Sequence, residues 1–152
     1  MAMTAKTLVD AVVRELRGAA STQLALAKVY KGDQPAWADK RGIFVVWTGG
    51  PERPRAIGDN FIVLHDILVV IRMPVRDDTG TTAEADWYDA FLDLCQEVYD
   101  ELTELSNRRI TDANGAYAEK LEVGSGEFGY AGEGSTEMWG FVWPCSYSVP
   151  QN

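Results

Sequence analysis

From residue 4 to residue 17, apolar Leu8, Val9, Val12, Val13 and Leu16 recur at steps of three and four. Lys6, Asp10, Arg14, Glu15 and Arg17 fill the positions between them. That period predicts an amphipathic helix, with Gly18 as its stop. Residues 24–30 fit either a short strand or a further turn of helix, and Lys31-Gly32-Asp33-Gln34-Pro35 interrupts them. Residues 43–48 are β-branched and aromatic and run into Gly49-Gly50-Pro51, which predicts a strand followed by a polar loop through Gly58-Asp59-Asn60. Over 61–73 both alternating faces are largely apolar. One carries Phe61, Val63, His65, Ile67, Val69, Ile71 and Met73; the other carries Ile62, Leu64, Asp66, Leu68, Val70 and Arg72. Such a strand is central and covered on each side by helices or by a neighbouring subunit, and Pro74 ends it.

The period changes again at 83–105. Tyr88, Leu92, Cys95, Tyr99 and Leu102, joined by Phe91, Val98 and Leu105, form a broad helical stripe. Thr81 and Glu84 have the spacing of a capping box at its start. Residues 119–123 form a short strand candidate, and the glycine-rich run 124–134 reads as a flexible hairpin loop. Residues 138–149 alternate again, with Trp139, Phe141, Trp143, Cys145, Tyr147 and Val149 on one face. Pro144, which has no amide hydrogen, points to an edge strand or a bulge. The order helix, strands, long helix, strands predicts an α+β fold, a mainly antiparallel sheet packed against two helices.

Composition narrows this picture. The chain has 152 residues, 46% hydrophobic and 24% charged, with no internal repeat or low-complexity tract, so residues 1–152 read as a single folded domain. No apolar run approaches the roughly 20 residues that cross a bilayer, and no signal-peptide core begins the chain, so no membrane partner is expected and the protein reads as cytosolic when made. Cys95 and Cys145 lie far apart without a CxxC spacing, as two buried thiols would. With 23 Asp and Glu against 14 Lys and Arg, the net charge is −9, which disfavours a global attraction to nucleic acid and makes protein the expected partner.

Candidate chemistry is sparse. The only histidine, His65, has no second histidine near it, and Gly124-Ser125-Gly126 lacks both the nucleophile-elbow and the phosphate-loop pattern. No catalytic residue, metal site or cofactor is assigned. The acids stand out: Glu84, Asp86, Asp89, Asp93, Glu97, Asp100, Glu101 and Glu104 fall on the long helix, and no Lys or Arg occurs between Arg76 and Arg108. Such a stripe is either a solvated face or a surface that repels DNA or meets a basic patch on another subunit. Asp86, Asp89, Asp93 and Glu97, with Arg53, Arg55, Arg108 and Arg109 as the basic counterpart, are the candidate interface residues. Two other function classes remain open: a small-ligand or regulatory module using His65, Asp66 and the aromatic strand, and a metal-dependent hydrolase using the helix acids.

The order of elements resembles the tail terminator, or tail completion, proteins of long-tailed bacteriophages of the lambda type. The matching features are the N-terminal helix, Val29-Tyr30-Lys31-Gly32-Asp33-Gln34-Pro35-Ala36, the strand ending Thr48-Gly49, and the strand closing on Met73-Pro74-Val75. They continue with the helix bearing Trp87 and Tyr99, Val123-Gly124-Ser125-Gly126-Glu127-Phe128-Gly129-Tyr130, and a final strand ending Tyr147-Ser148-Val149. The resemblance implies a non-enzymatic subunit of the virion tail or neck, assembled in the host cytoplasm. It would form a homohexameric ring, cap the tail tube to stop its polymerisation, and present a surface for head-tail joining. Its partners would be itself, the tail-tube protein and a head-tail connector or head-completion protein, with no sequence-specific nucleic acid. If so, the acidic helix either lines a conduit that DNA passes without adhering or faces outward.

Overall fold

The computed structural model describes residues 2–33, 41–50, 55–57, 60–76, 80, 82–131 and 137–151. Its first helix, α1 (Ala5–Arg17), starts where Thr4 and Thr7 each accept a hydrogen bond from the other's backbone amide, and it closes at Gly18. The 24–30 ambiguity resolves into both alternatives, a short helix α2 (Thr22–Leu26) and a strand β1 (Lys28–Lys31). β2 (Gly42–Gly49), β3 (Arg55–Ile57) and β4 (Asn60–Pro74) follow, then α3 (Glu84–Thr103) and a 3-10 turn (Leu105–Asn107). The chain ends in β5 (Arg109–Thr111), β6 (Tyr117–Val123), β7 (Glu127–Ala131) and β8 (Met138–Gln151).

One eight-stranded sheet results, in the order β1-β2-β4-β8-β6-β5, with β3 also pairing β4 and β7 also pairing β8. Only β1 and β2 run parallel. The axis of the sheet is the long antiparallel pair β4 and β8, in register from Phe61 opposite Gln151 to Pro74 opposite Met138. Odd positions of β4 therefore share a face with odd positions of β8, so the two alternating walls of the sequence become one buried surface. Val63, Ile67, Val69, Ile71 and Met73 lie in one core with Leu8, Val12 and Leu16 of α1 and Phe91, Leu94 and Val98 of α3. Burying each such side chain contributes about 1.5–3 kcal/mol relative to exposure.

The sheet curls until its two outermost strands meet the same helix. Near the end of α1, Arg17 donates to the Val29 carbonyl of β1 from Nε at 3.1 Å and Nη2 at 2.7 Å, and Arg14 donates to the Thr111 carbonyl of β5. One helix thus satisfies backbone acceptors on both edges, which would otherwise be templates for another strand.

Several expectations are corrected. The polar loop after β2 contains β3, and the glycine-rich run contains β7; both strands are short and exist by pairing with β4 and β8. Gly126 is glycine for a packing reason, since a Cβ there would lie 2.0 Å from the Phe141 ring. Pro144 is not on an edge strand, because β8 has neighbours on both sides. Its carbonyl accepts from the Gly124 amide at 2.8 Å, so its nitrogen faces the same side, in the gap where β6 ends and β7 begins. The register shift on its side of β8 is in β6, between Lys120 and Glu122. The N-cap of α3 is Ala83 and not Thr81, which lies outside the described residues. Here a tertiary bond sets the first turn: the buried Trp87 indole donates to the Pro74 carbonyl at 2.7 Å.

Both long helices cover the same face. On the other face Phe44 is fully buried under the stacked ring of Tyr30, 5.3 Å away, and the Arg72 guanidinium, which Asp33 holds at 2.7 Å. Beyond that stack, Ile62, Leu64, Leu68, Val70, Val142 and Pro144 stay half-exposed.

Candidate assembly surfaces

The periodicity of α3 places its apolar centre one position away from where the chain buries it. The row that meets the sheet is Trp87, Phe91, Leu94, Val98 and Leu102, while Tyr88 and Leu92 of the expected stripe are 38% and 45% exposed. Three and four residue steps fit both rows, and the larger ring of Trp87 together with its bond to Pro74 selects the first. The rotation leaves an aromatic cluster at the surface. Tyr88 stands edge-on to Trp139 at 4.9 Å, Phe91 lies 5.6 Å from Trp139, and Phe128 of β7, 50% exposed, meets Phe91 edge-on at 6.2 Å.

The candidate interface residues do not form one site. Asp86, Asp89 and Asp93 are exposed, and among the described residues none of them has an ion pair. Glu97 is used inside the chain: its carboxylate accepts from the Gln23 amide at 3.0 Å and caps α2, whose N-cap Ser21 makes no side-chain bond. Arg53 lies outside the described residues, and Arg55 sits in β3 opposite Ile62. Arg108 and Arg109 are exposed at the start of β5, where Arg109 pairs with Glu119 at 3.3 Å and lies over the Tyr117 ring at 4.5 Å. The described arginines are therefore split between two regions of the sheet, and Arg109 is satisfied within the chain.

A basic-rimmed groove that periodicity did not single out lies between α1 and the β1-β2 edge. Val9, Val45 and Trp47 line it, and Lys6, Asp10 and Lys31 stand around it, enclosing about 360 Å³. Asp10 pairs with Lys31 at 2.8 Å and Lys6 at 3.3 Å. The Lys31 hydrogen bond is the main reason its carboxyl stays below the ordinary range. A sequence signal existed, in that Trp47 extends the odd-numbered row of Ile43 and Val45 towards the exposed end of β2, but the lysines reach it only once α1, β1 and β2 are brought together.

His65 is buried, and its Nδ1 accepts from the Trp47 indole at 3.1 Å. Burial holds its pKa below the usual value, against the opposing pull of Asp66. Asp66 points to the opposite face, where Ser146 donates to it at 3.1 Å, so the two residues do not share a site. Cys95 and Cys145 are free, buried thiols, both pushed by burial up to about 12. Among the described residues one buried ion pair joins Glu15 of α1 to Lys120 of β6, with Asn107 donating to the same Glu15 oxygen at 2.9 Å. The second carboxylate oxygen has no partner, and burial raises the Glu15 pKa more than Lys120 lowers it.

Fold and surface together define an α+β domain on a curled, mostly antiparallel sheet, with its helices on one face and apolar side chains left at its rim. A chain from the virion of a native gene transfer agent particle has this fold. The two superpose with a TM-score of 0.60 over 97% of each chain at 13% sequence identity. At that identity the likeness shows the fold alone. A second solved structure, 15% identical over 95% of this chain and 90% of its own, superposes with a TM-score of only 0.38 and carries no argument. Neither a protein-family model nor a curated protein sequence matches the chain.

Proposed function

We propose that this chain is a structural virion protein of the tail terminator kind: a subunit that assembles into a ring on the end of the tail tube, stops its polymerisation and offers a surface to the head-side connector. The carrying observation is the end-to-end fold likeness to a chain of a gene transfer agent virion. The apolar surface left uncovered supports it: the half-exposed second sheet face, Trp47 at 40% exposure, and the Tyr88, Leu92 and Phe128 patch. A subunit that hides such surface against neighbours gains what an isolated domain of this size leaves in water. Arg108, exposed and without an ion pair among the described residues, is available for contacts with the tube or the connector, and ring size is six by the tail-terminator resemblance.

The test is polymerisation of cognate tail-tube subunits with and without the protein, followed by negative-stain microscopy. Shorter tubes carrying a ring at one end are expected. Tubes of unchanged length with bare ends would refute the reading.

A further inference from the structure

The aromatic patch and the basic groove are made of complementary chemistry. Tyr88 and Leu92 lie one helical turn apart, the Tyr88 and Phe128 rings both meet Phe91, and Asp89 and Asp93 follow Tyr88 and Leu92 one position on in each turn. The groove inverts this charge pattern, with an apolar floor of Val9, Val45 and Trp47 beside two lysines and one aspartate. Lys6 and Lys31 side chains are 80% and 55% exposed. A net positive rim faces solvent at one place and, at the other, an acidic rim with no ion pair among the described residues.

The two surfaces cannot meet within one chain. Trp47 stands opposite Ile67 of β4, and Trp139, on which Tyr88 rests, stands opposite Met73, six positions further along the same strand. That separation is about 20 Å along the sheet, with β4 and β8 also lying between β2 and β7 across it.

We propose that the Tyr88, Leu92 and Phe128 patch with its Asp89 and Asp93 rim docks into the Lys6, Lys31 and Trp47 groove of a second copy of this chain. It rests on the self-assembling reading above and names its seam. Because the two patches are different surfaces of one subunit, a contact that each neighbour makes once is head-to-tail, and it generates a ring when the rotation between neighbours closes. Apolar side chains supply the contact, and the opposed charges orient it and make it weaken with salt. The Asp89 and Asp93 part of the acidic helix then lies in the seam between subunits and not on a DNA path.

Two charge-reversed proteins test this, Asp89→Lys with Asp93→Lys, and Lys6→Glu with Lys31→Glu. All four positions are solvent-facing, and circular dichroism and thermal melting confirm that each variant folds. Each carries the same sign at both surfaces, so self-association measured by sedimentation velocity is expected to fall by about a hundredfold. Mixed in equal amounts, the two variants have opposite signs at every seam, and association is expected to return. Variants that assemble like the unmodified chain, or a mixture that stays monomeric, would overturn the proposed seam while leaving ring formation standing. An unmodified chain that stays monomeric both at millimolar concentration and on tube ends would overturn the seam and the tail-terminator reading together. Leu92→Ser is expected to weaken association without altering its salt dependence, and an altered slope would also count against the arrangement.

Discussion

The buried pair between Glu15 and Lys120 joins the helix that covers both sheet edges to β6, which lies between β8 and the edge strand β5, and removing its cation is a sharp test of the packing. Both side chains are under a tenth exposed, and among the described residues the other donor to Glu15 is Asn107. In Lys120→Met the carboxylate keeps one hydrogen bond and loses its counter-charge, which costs about 3–5 kcal/mol when a buried pair is broken from one side. Native domains have about 5–15 kcal/mol in all, so this is a large fraction. Burial already holds the Glu15 pKa above its ordinary 4.5, and Lys120 was the group lowering it, so in the variant it rises further. A carboxyl whose folded pKa is raised contributes its stability below the unfolded value and loses it as pH climbs through the folded one. The deficit is therefore largest near pH 8 and shrinks towards pH 4.5, where the carboxyl is neutral and only about 1–3 kcal/mol of imperfect hydrogen bonding remains. Urea unfolding at both pH values measures it. Adding Glu15→Met removes the orphaned charge and is expected to recover most of the loss, since Asn107 is only half-buried and can turn to water. A double variant as unstable as Lys120→Met, or a deficit independent of pH, would refute the reasoning.

Gly126→Ala places a methyl group 2.0 Å from the Phe141 ring and 2.8 Å from Trp143. Forcing these rings apart should cost about 1–3 kcal/mol, read as a lower Tm, with amide exchange in β7 rising first. Glu97→Ala uncaps α2 and should cost about 1 kcal/mol, or roughly 2–4 °C in Tm for a chain of this length. Faster exchange confined to α2 would identify the cause, and a slowed or unchanged rate there would contradict it. Cys95 and Cys145, buried and held as thiols up to about pH 12, should resist a thiol reagent at pH 8 in the native protein and react together once it is unfolded. Rapid labelling of either in native buffer would show that its cover opens.

The long periodic elements α1, β2, β4, α3 and β8 were legible because each repeats its burial pattern over many residues, and their order was enough to indicate an α+β sheet. β3, β5 and β7 were not. Three to five residues carry too little alternation, and each of these strands is the short arm of a hairpin that takes its shape from hydrogen bonds to the longer strand that follows it. Glycines that read as flexibility conceal a strand beside aromatic rings, as Gly126 does. For the candidate surfaces, the acidic character of α3 was plain, yet only packing showed that Glu97 is consumed as a cap and that Tyr88 and Leu92 face out. The basic groove needed α1, β1 and β2 brought together.

What the amino-acid order determined alone is the type of each long element and the sign of the charge on α3, because both follow from residues within a few positions of one another. Tertiary structure decided which of two neighbouring rows of α3 is buried, that one helix guards both edges of the sheet, and where apolar surface remains. Those outcomes depend on contacts between distant segments, such as the Trp87 bond to Pro74 and the arginines of α1 on Val29 and Thr111. Local periodicity is equally satisfied by more than one of them.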